Sequence, residues 1–232
     1  MSYLEILLWY VSSIFEYAYQ MLPCMGGALL LFAALRLPRK RRLAEKGLVS
    51  GPWREGGLLL FVMFMTGLAS LTLFPADLWA YVMDRLLYPE GWFFRWGNRS
   101  LGSFYPSLEQ AIGNTDYRNL FTPFQEIRRA IRTGGTWLIF MVLGNIGIFL
   151  PVGFSVALLW RKPRWWKSGA AGIFCSLLIE SVQFFIGRST DIDDVILNTT
   201  GALLGYGIFL LFQTAFPRFL SRFYCHEQGG DT

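Results

Sequence analysis

The sequence predicts an all-α, multi-pass transmembrane bundle of about five spans, and three observations predict it. Hydrophobic residues make up 53% of the 232 and charged residues only 16%, against about one quarter charged in ordinary soluble domains. The mean hydropathy is +0.38, and the apolar residues fall in blocks long enough to supply the roughly 20 helical residues that a hydrocarbon core requires. Lys and Arg collect at the ends of these blocks. The formal charge of +5 therefore reads as membrane flanks, and no nucleic-acid partner is expected.

The first apolar block covers residues 14–35, with Glu16 and Gln20 near its start; residues 4–10 extend it outward or lie at the surface. The second covers 57–74 and stops at Pro75, the third 137–160, the fourth 169–186 and the fifth 197–216. Each is assigned helix, because a segment crossing lipid must satisfy its backbone hydrogen bonds internally. The connection over residues 36–56 carries Arg36, Arg39, Lys40, Arg41, Arg42, Lys46 and Arg54 against Glu45 and Glu55, and residues 161–168 carry four bases and no acid. Both connections belong in the cytoplasm. The connection after the fourth block, with one Arg and three Asp, belongs outside, which puts the N-terminus out and the C-terminus in. The chain thus divides into an N-terminal span with a basic cytoplasmic loop (1–56), a four-helix membrane unit (57–216) whose segment 75–136 is extracellular, and a polar cytoplasmic tail (217–232).

Cys24, Cys175 and Cys225 are too scattered for a disulfide framework or a zinc site. His226 is the one histidine, so histidine-based catalysis has no candidate in the apolar blocks. No basic stretch precedes the first apolar block, which argues against a cleaved signal peptide. Within 75–136, residues 78–87 are amphipathic, and Trp92, Phe93, Phe94 and Trp96 suit the headgroup zone. Thr122-Pro123-Phe124-Gln125 reads as a helix start, with Thr122 as N-cap and Pro123 in the first position. That helix should run to Arg132 and turn Phe124, Ile127 and Ile131 to the membrane or bundle, with Arg128, Arg129 and Arg132 toward water or phosphate.

The densest polar constellation runs from Glu180 to Asn198. On a helix, Gly172, Ser176, Glu180, Gln183 and Gly187 share one face, a small-and-polar stripe that should face the bundle. Glu180 falls about two turns inside the outer end, roughly 10 Å deep at the usual rise, where a carboxylate costs several kcal/mol unless paired, solvated or protonated. Asp194, Asn198, Gly201 and Gly205 form a matching stripe, and the two glycines would admit another backbone. Asn145 should reach Glu180 or Asn198; Pro151 and Gly153 should bend the third span. The expected picture is a polar pocket open to the outside, floored by Glu180 and Asn145 and rimmed by Arg188, Asp191, Asp193, Asp194 and Asn198. Plainer roles stand beside it: Glu180 salt-bridged to Arg188 or Arg118, Asp191 or Asp193 as a helix cap, and Asn145 and Gln183 as interhelical glue. No cofactor is predicted, although Asp191, Asp193, Asp194 and Glu180 are a candidate set for a hard divalent cation.

At these residues the chain resembles the VanZ-like family of bacterial membrane proteins. Three pieces carry the resemblance: Arg118-Asn-Leu-Phe-Thr-Pro123-Phe124; Asn145-Ile-Gly-Ile-Phe149-Leu-Pro151-Val-Gly153; and Glu180, Gln183, Arg188, Asp191, Asp193, Asp194, Asn198, Gly201 and Gly205 in order. It covers about residues 58–212, with Asn119 one residue further from Pro123 than in the family pattern. The resemblance implies low-level tolerance to teicoplanin and related lipoglycopeptides, a bacterial cell (plasma) membrane location, and Arg118, Pro123 and Phe124 as part of the site. Function then divides three ways. The first is a non-enzymatic protein that binds or shields a lipoglycopeptide or lipid-linked cell-wall precursor, with the bilayer as its other partner. The second is a hydrolase or transferase with Glu180 as acid/base and Asp191, Asp193 and Asp194 orienting the substrate. It ranks lower because no Ser-His, Cys-His or HExxH pattern supports it. Transport ranks third, since no internal repeat is visible.

Overall fold

The computed structural model describes residues 3–74, 78–90, 97–114, 121–133, 136–160, 162–186 and 190–227. Five of its helices are long and apolar enough to cross a membrane, and the protein is a multi-pass helical membrane bundle. The helices are α1 (Tyr3–Ala44), α2 (Pro52–Leu73), α3 (Leu78–Leu87), α4 (Leu108–Asn114), α5 (Gln125–Thr133), α6 (Thr136–Leu159), α7 (Trp165–Phe185), α8 (Ile192–Ala215) and α9 (Pro217–Ser221). The spans are α1 from Met21 onward, α2, α6, α7 and α8. Leu30, Leu60, Phe174 and Leu211 are among many large apolar side chains left exposed, as expected where the surrounding solvent is lipid.

Helix boundaries follow local chemistry. Pro52 takes the first position of α2, where its missing N–H costs nothing, and Phe74 is extended (φ −104°, ψ 144°), as the residue before a proline prefers. α1 departs from expectation. It continues helically through Pro38 to Ala44, so Arg36, Arg39, Lys40, Arg41 and Arg42, expected in a loop, are the end of a helix. Glu55, 5% exposed, holds that extension: it accepts hydrogen bonds from the Arg39 guanidinium and, at 2.5 Å, from Ser50 Oγ, with Arg36 Nε at 3.8 Å. Arg39 also lies over the Phe32 ring at 4.6 Å.

The tightest pairing is α6 against α8, followed by α8 against α7. Glycines make it possible. A Cβ on Gly153 would sit 1.8 Å from the Ala202 carbonyl oxygen, and one on Gly201 2.2 Å from that of Ile146, so the two backbones touch with no room for a side chain. Gly153 therefore serves close approach to α8. Leu68, Phe149, Val152 and Ile179 join α2, α6 and α7 in one apolar cluster. A second cluster, Ala157, Leu158, Phe209 and Leu220, joins α6 and α8 to α9.

The bundle has two polar ends. At the basic end, α1 stops, α2 starts and Arg54 donates to the Leu159 carbonyl at 3.0 Å. The C-terminal segment, expected as a polar cytoplasmic tail, packs against this end. Leu220 is 2% exposed, and a short strand, β2 (His226–Glu227), pairs antiparallel with β1 (Leu48–Val49). The apolar spacing of Phe219, Leu220 and Phe223 explains this packing. At the acidic end, α7 stops and α8 starts.

Candidate functional site

Asp191 is the N-cap of α8. Its extended backbone (φ −141°, ψ 132°) lets the side chain accept from the Asp193 N–H at 2.9 Å, satisfying a donor that the first helical turn leaves orphaned. Its own N–H donates to Glu180 Oε2 at 3.0 Å. A carboxylate on α7 thereby holds the start of α8, and Glu180 is 8% exposed. Beside them Asn145 Nδ2 donates to Asp194 Oδ1 at 2.5 Å, tying α6 into the same turn. Deeper, Asn198 Nδ2 donates to Ser176 Oγ at 2.9 Å; nearer the helix ends, Gln183 Nε2 donates to the Thr72 carbonyl at 3.3 Å.

Asp193 has a different task. It is fully buried, and its carboxylate accepts from the backbone N–H of Phe124 and, at 3.3 Å, of Ile127. Phe124 immediately precedes α5 and has φ +67°, a left-handed conformation that a bulky side chain adopts only at a cost. Its carbonyl accepts from Arg128 N–H at 3.1 Å, which makes Phe124 the N-cap. A phenyl group has no oxygen with which to cap the turn. Asp193 supplies that oxygen through space, and its charge suits the positive end of α5. The expected N-cap at Thr122 with Pro123 in the first helical position is thus corrected: both residues precede the elbow in a turn, and the helix begins at Gln125.

Most of the residues singled out in the sequence meet at this end: Asn145, Glu180, Gln183, Asp191, Asp193, Asp194 and Asn198 sit on α6, α7 and α8, and Phe124 is held against Asp193. Arg118, Asn119, Gly187, Arg188 and the aromatic run 91–96 lie outside the described residues. Asn145 bonds to Asp194, where Glu180 or Asn198 was expected, because the glycine contacts fix α6 close along α8 and bring Asn145 to that helix's first turn. Among the described residues, no three His, Cys, Asp or Glu side chains are gathered as a metal site requires. Two of the candidate cation ligands are engaged by backbone amides instead: Asp191 at 2.9 Å, and Asp193 as described.

Ser176, expected on the bundle-facing stripe and buried there, had no expected partner, and the part played by the Thr72 carbonyl was not anticipated. A hydroxyl on the buried face of α7 was a usable signal; a main-chain carbonyl leaves none in a sequence.

The sequence profile of the VanZ/LLP1 family matches residues 98–213, from the segment before α4 nearly to the end of α8. The chain belongs to the VanZ/LLP1 family. No curated relative and no solved structure matches it. The family region contains the acidic cluster on α6, α7 and α8 and Phe124 with its elbow, whereas α1, α2 and α3 precede it. α2 nevertheless packs into the family region through Leu68 against Phe149 and Ile179.

Proposed function

We propose that this VanZ/LLP1 protein binds or shields a cell-envelope ligand at its acidic end, facing the outside of a bacterial plasma membrane. The observation carrying the proposal is the convergence of Glu180, Asp191 and Asp194 with Asn145 at one end of an otherwise apolar bundle. Intramembrane acids cost several kcal/mol and are kept where they bind something or hold a functional turn. Family membership points the same way, toward tolerance of lipoglycopeptides such as teicoplanin through capture of the drug or of a lipid-linked wall precursor. Within the site, Asp191 and Asp193 fix backbone, and Glu180, Asp194 and Asn145 are assigned the ligand, with Arg118 and Arg188 as its cationic rim. The orientation is the one the basic connections favour, with the N-terminus out and the C-terminus in.

The test is drug tolerance in a susceptible bacterium expressing the wild type, Glu180→Gln or Asp194→Asn, with membrane insertion quantified in parallel. Both variants should insert normally and lose tolerance. Wild-type tolerance in both would overturn the proposal. Turnover of a lipid-linked substrate by the purified protein would replace it with a catalytic one.

A further inference from the structure

Two apolar crevices open at the opposite, basic end. The larger, about 410 Å³, lies between α2, α6, α8 and α9; Phe61, Phe64, Phe154, Leu158 and Phe212 form its walls, and Ser155 is the one polar side chain lining it. The smaller, about 400 Å³, is lined by Pro52, Trp53, Gly56, Gly57, Leu60 and Phe223. Both volumes are within the usual range for ligand pockets, roughly 300–1,000 Å³. Gly57, Leu60 and Phe223 line both crevices. A Cβ on Gly57 would lie 3.0 Å from the Phe223 ring, so the absence of a side chain there keeps the two spaces open on either side of that ring.

The mouth is cationic. Arg222 lies over the Trp53 ring at 5.6 Å, and Arg218 opens the short helix whose Phe219 and Leu220 line the larger crevice. Among the described residues, neither arginine has a carboxylate partner. The buried acid of this end, Glu55, is already engaged by Arg36, Arg39 and Ser50.

We propose that the basic end holds one anionic diacyl phospholipid, its chains in the two crevices astride Phe223 and its phosphate between Arg218 and Arg222. A twin apolar space explains two chains, and basic pockets at helix ends attract acidic headgroups. A zwitterionic lipid would fill the same crevices but gain less from the arginines. Free phosphate would gain nothing from the crevices. The site is separate from the acidic end and stands without the function proposed there.

The full-length protein is reconstituted into vesicles of mixed phosphatidylglycerol and phosphatidylcholine with matched chains, re-extracted, and its retained lipid measured by native mass spectrometry. The ratio of retained phosphatidylglycerol to phosphatidylcholine should exceed that of the vesicle about tenfold. The Arg218→Gln/Arg222→Gln double variant should bring retention near parity. Leu60→Trp should lower retention of both lipids; Leu60 is 73% exposed, so the fold tolerates the change. Inorganic phosphate alone should leave thermal stability unchanged. No enrichment in the wild type, enrichment that survives the double variant, undiminished retention in Leu60→Trp, or stabilisation by phosphate equal to that by lipid would each overturn the proposal.

Discussion

Replacing Asp193 with Asn tests how the acidic end is held together. The wild-type carboxylate presents two oxygens to two backbone donors, Phe124 N–H and Ile127 N–H. An amide keeps one oxygen and turns an NH₂ group toward the other donor. One charge-assisted bond becomes neutral and the second is lost inside a fully buried position. A hydrogen bond to a charged group contributes about 1.5–3 kcal/mol, and an orphaned buried donor costs about 1–3, so the elbow should weaken by roughly 2–4 kcal/mol, or about 30- to 1,000-fold in its opening equilibrium. Hydrogen–deuterium exchange in detergent or nanodiscs reads this directly. A peptide spanning residues 121–133 should exchange faster by that factor, while one spanning 201–212, in the middle of α8, should not change. Unchanged exchange at 121–133 would refute the assignment of Asp193 as the cap of α5. Relief of backbone strain provides the cross-check. Phe124 at φ +67° carries roughly 1–2 kcal/mol of left-handed strain, so adding Phe124→Gly to Asp193→Asn should restore several-fold of the lost protection.

The other expectations concern packing, the basic knot and the membrane arrangement. Gly201→Ala places a methyl group 2.2 Å from a backbone oxygen; the helices must separate, and overpacking should cost about 1–3 kcal/mol in unfolding titrations. A change near zero would mean that α6 and α8 do not touch as described. Glu55→Gln removes the anchor of Arg39 and should cost about 1.5–3 kcal/mol, less any solvent screening of the guanidinium, whose side chain is 31% exposed, with faster proteolysis in the 45–51 connection; an undisturbed cleavage pattern would sink that reading. Ser103→Cys and Glu45→Cys, both at exposed positions, should label from opposite sides of intact cells, Ser103→Cys from outside; labelling of both from one side would overturn the bundle's topology.

Much of this architecture was legible in the sequence because it depends on pattern. All five apolar blocks appear as long helices, four of them within about five residues of the expected limits and α1 running well past both of its own, since membrane helices are dictated by length and apolarity. The amphipathic stretch 78–87 is helix α3, Leu78–Leu87, with Leu78 and Tyr81 inward. Asp191 was readable as a cap because Asp before an apolar helix has a local job. What failed was whatever depended on a partner far along the chain. Thr122-Pro123 carries every local mark of a helix start, yet the donors of that helix are met by Asp193, about 70 positions away, and a cap supplied through space leaves no trace beside the helix it caps. Asn145 was placed on the right face and given the wrong partner, because the choice between Asp194 and Asn198 depends on the rotation and rise of α6 against α8, and those are settled by glycine contacts that a sequence shows only as permission.

Glu55 was the subtler miss. Counted in a basic connection, it looked like one of two acids diluting the charge. Its burial among Arg36, Arg39 and Ser50 shows a different physical role: it ties the extension of α1 past Pro38 to the first turn of α2. The two ends of the protein also tie different elements with their acids. At the basic end one carboxylate binds guanidinium groups and fixes a helix belonging to the N-terminal part of the chain. At the other end, Asp193 accepts backbone amides at the start of α5, Glu180 of α7 accepts the Asp191 amide, and Asp194 accepts the Asn145 carboxamide of α6, so three helices are bound to the first turn of α8. A ligand engaging Glu180 or Asp194 would act on the turn where those helices meet, which is the physical ground for seeking an envelope ligand there rather than at Glu55.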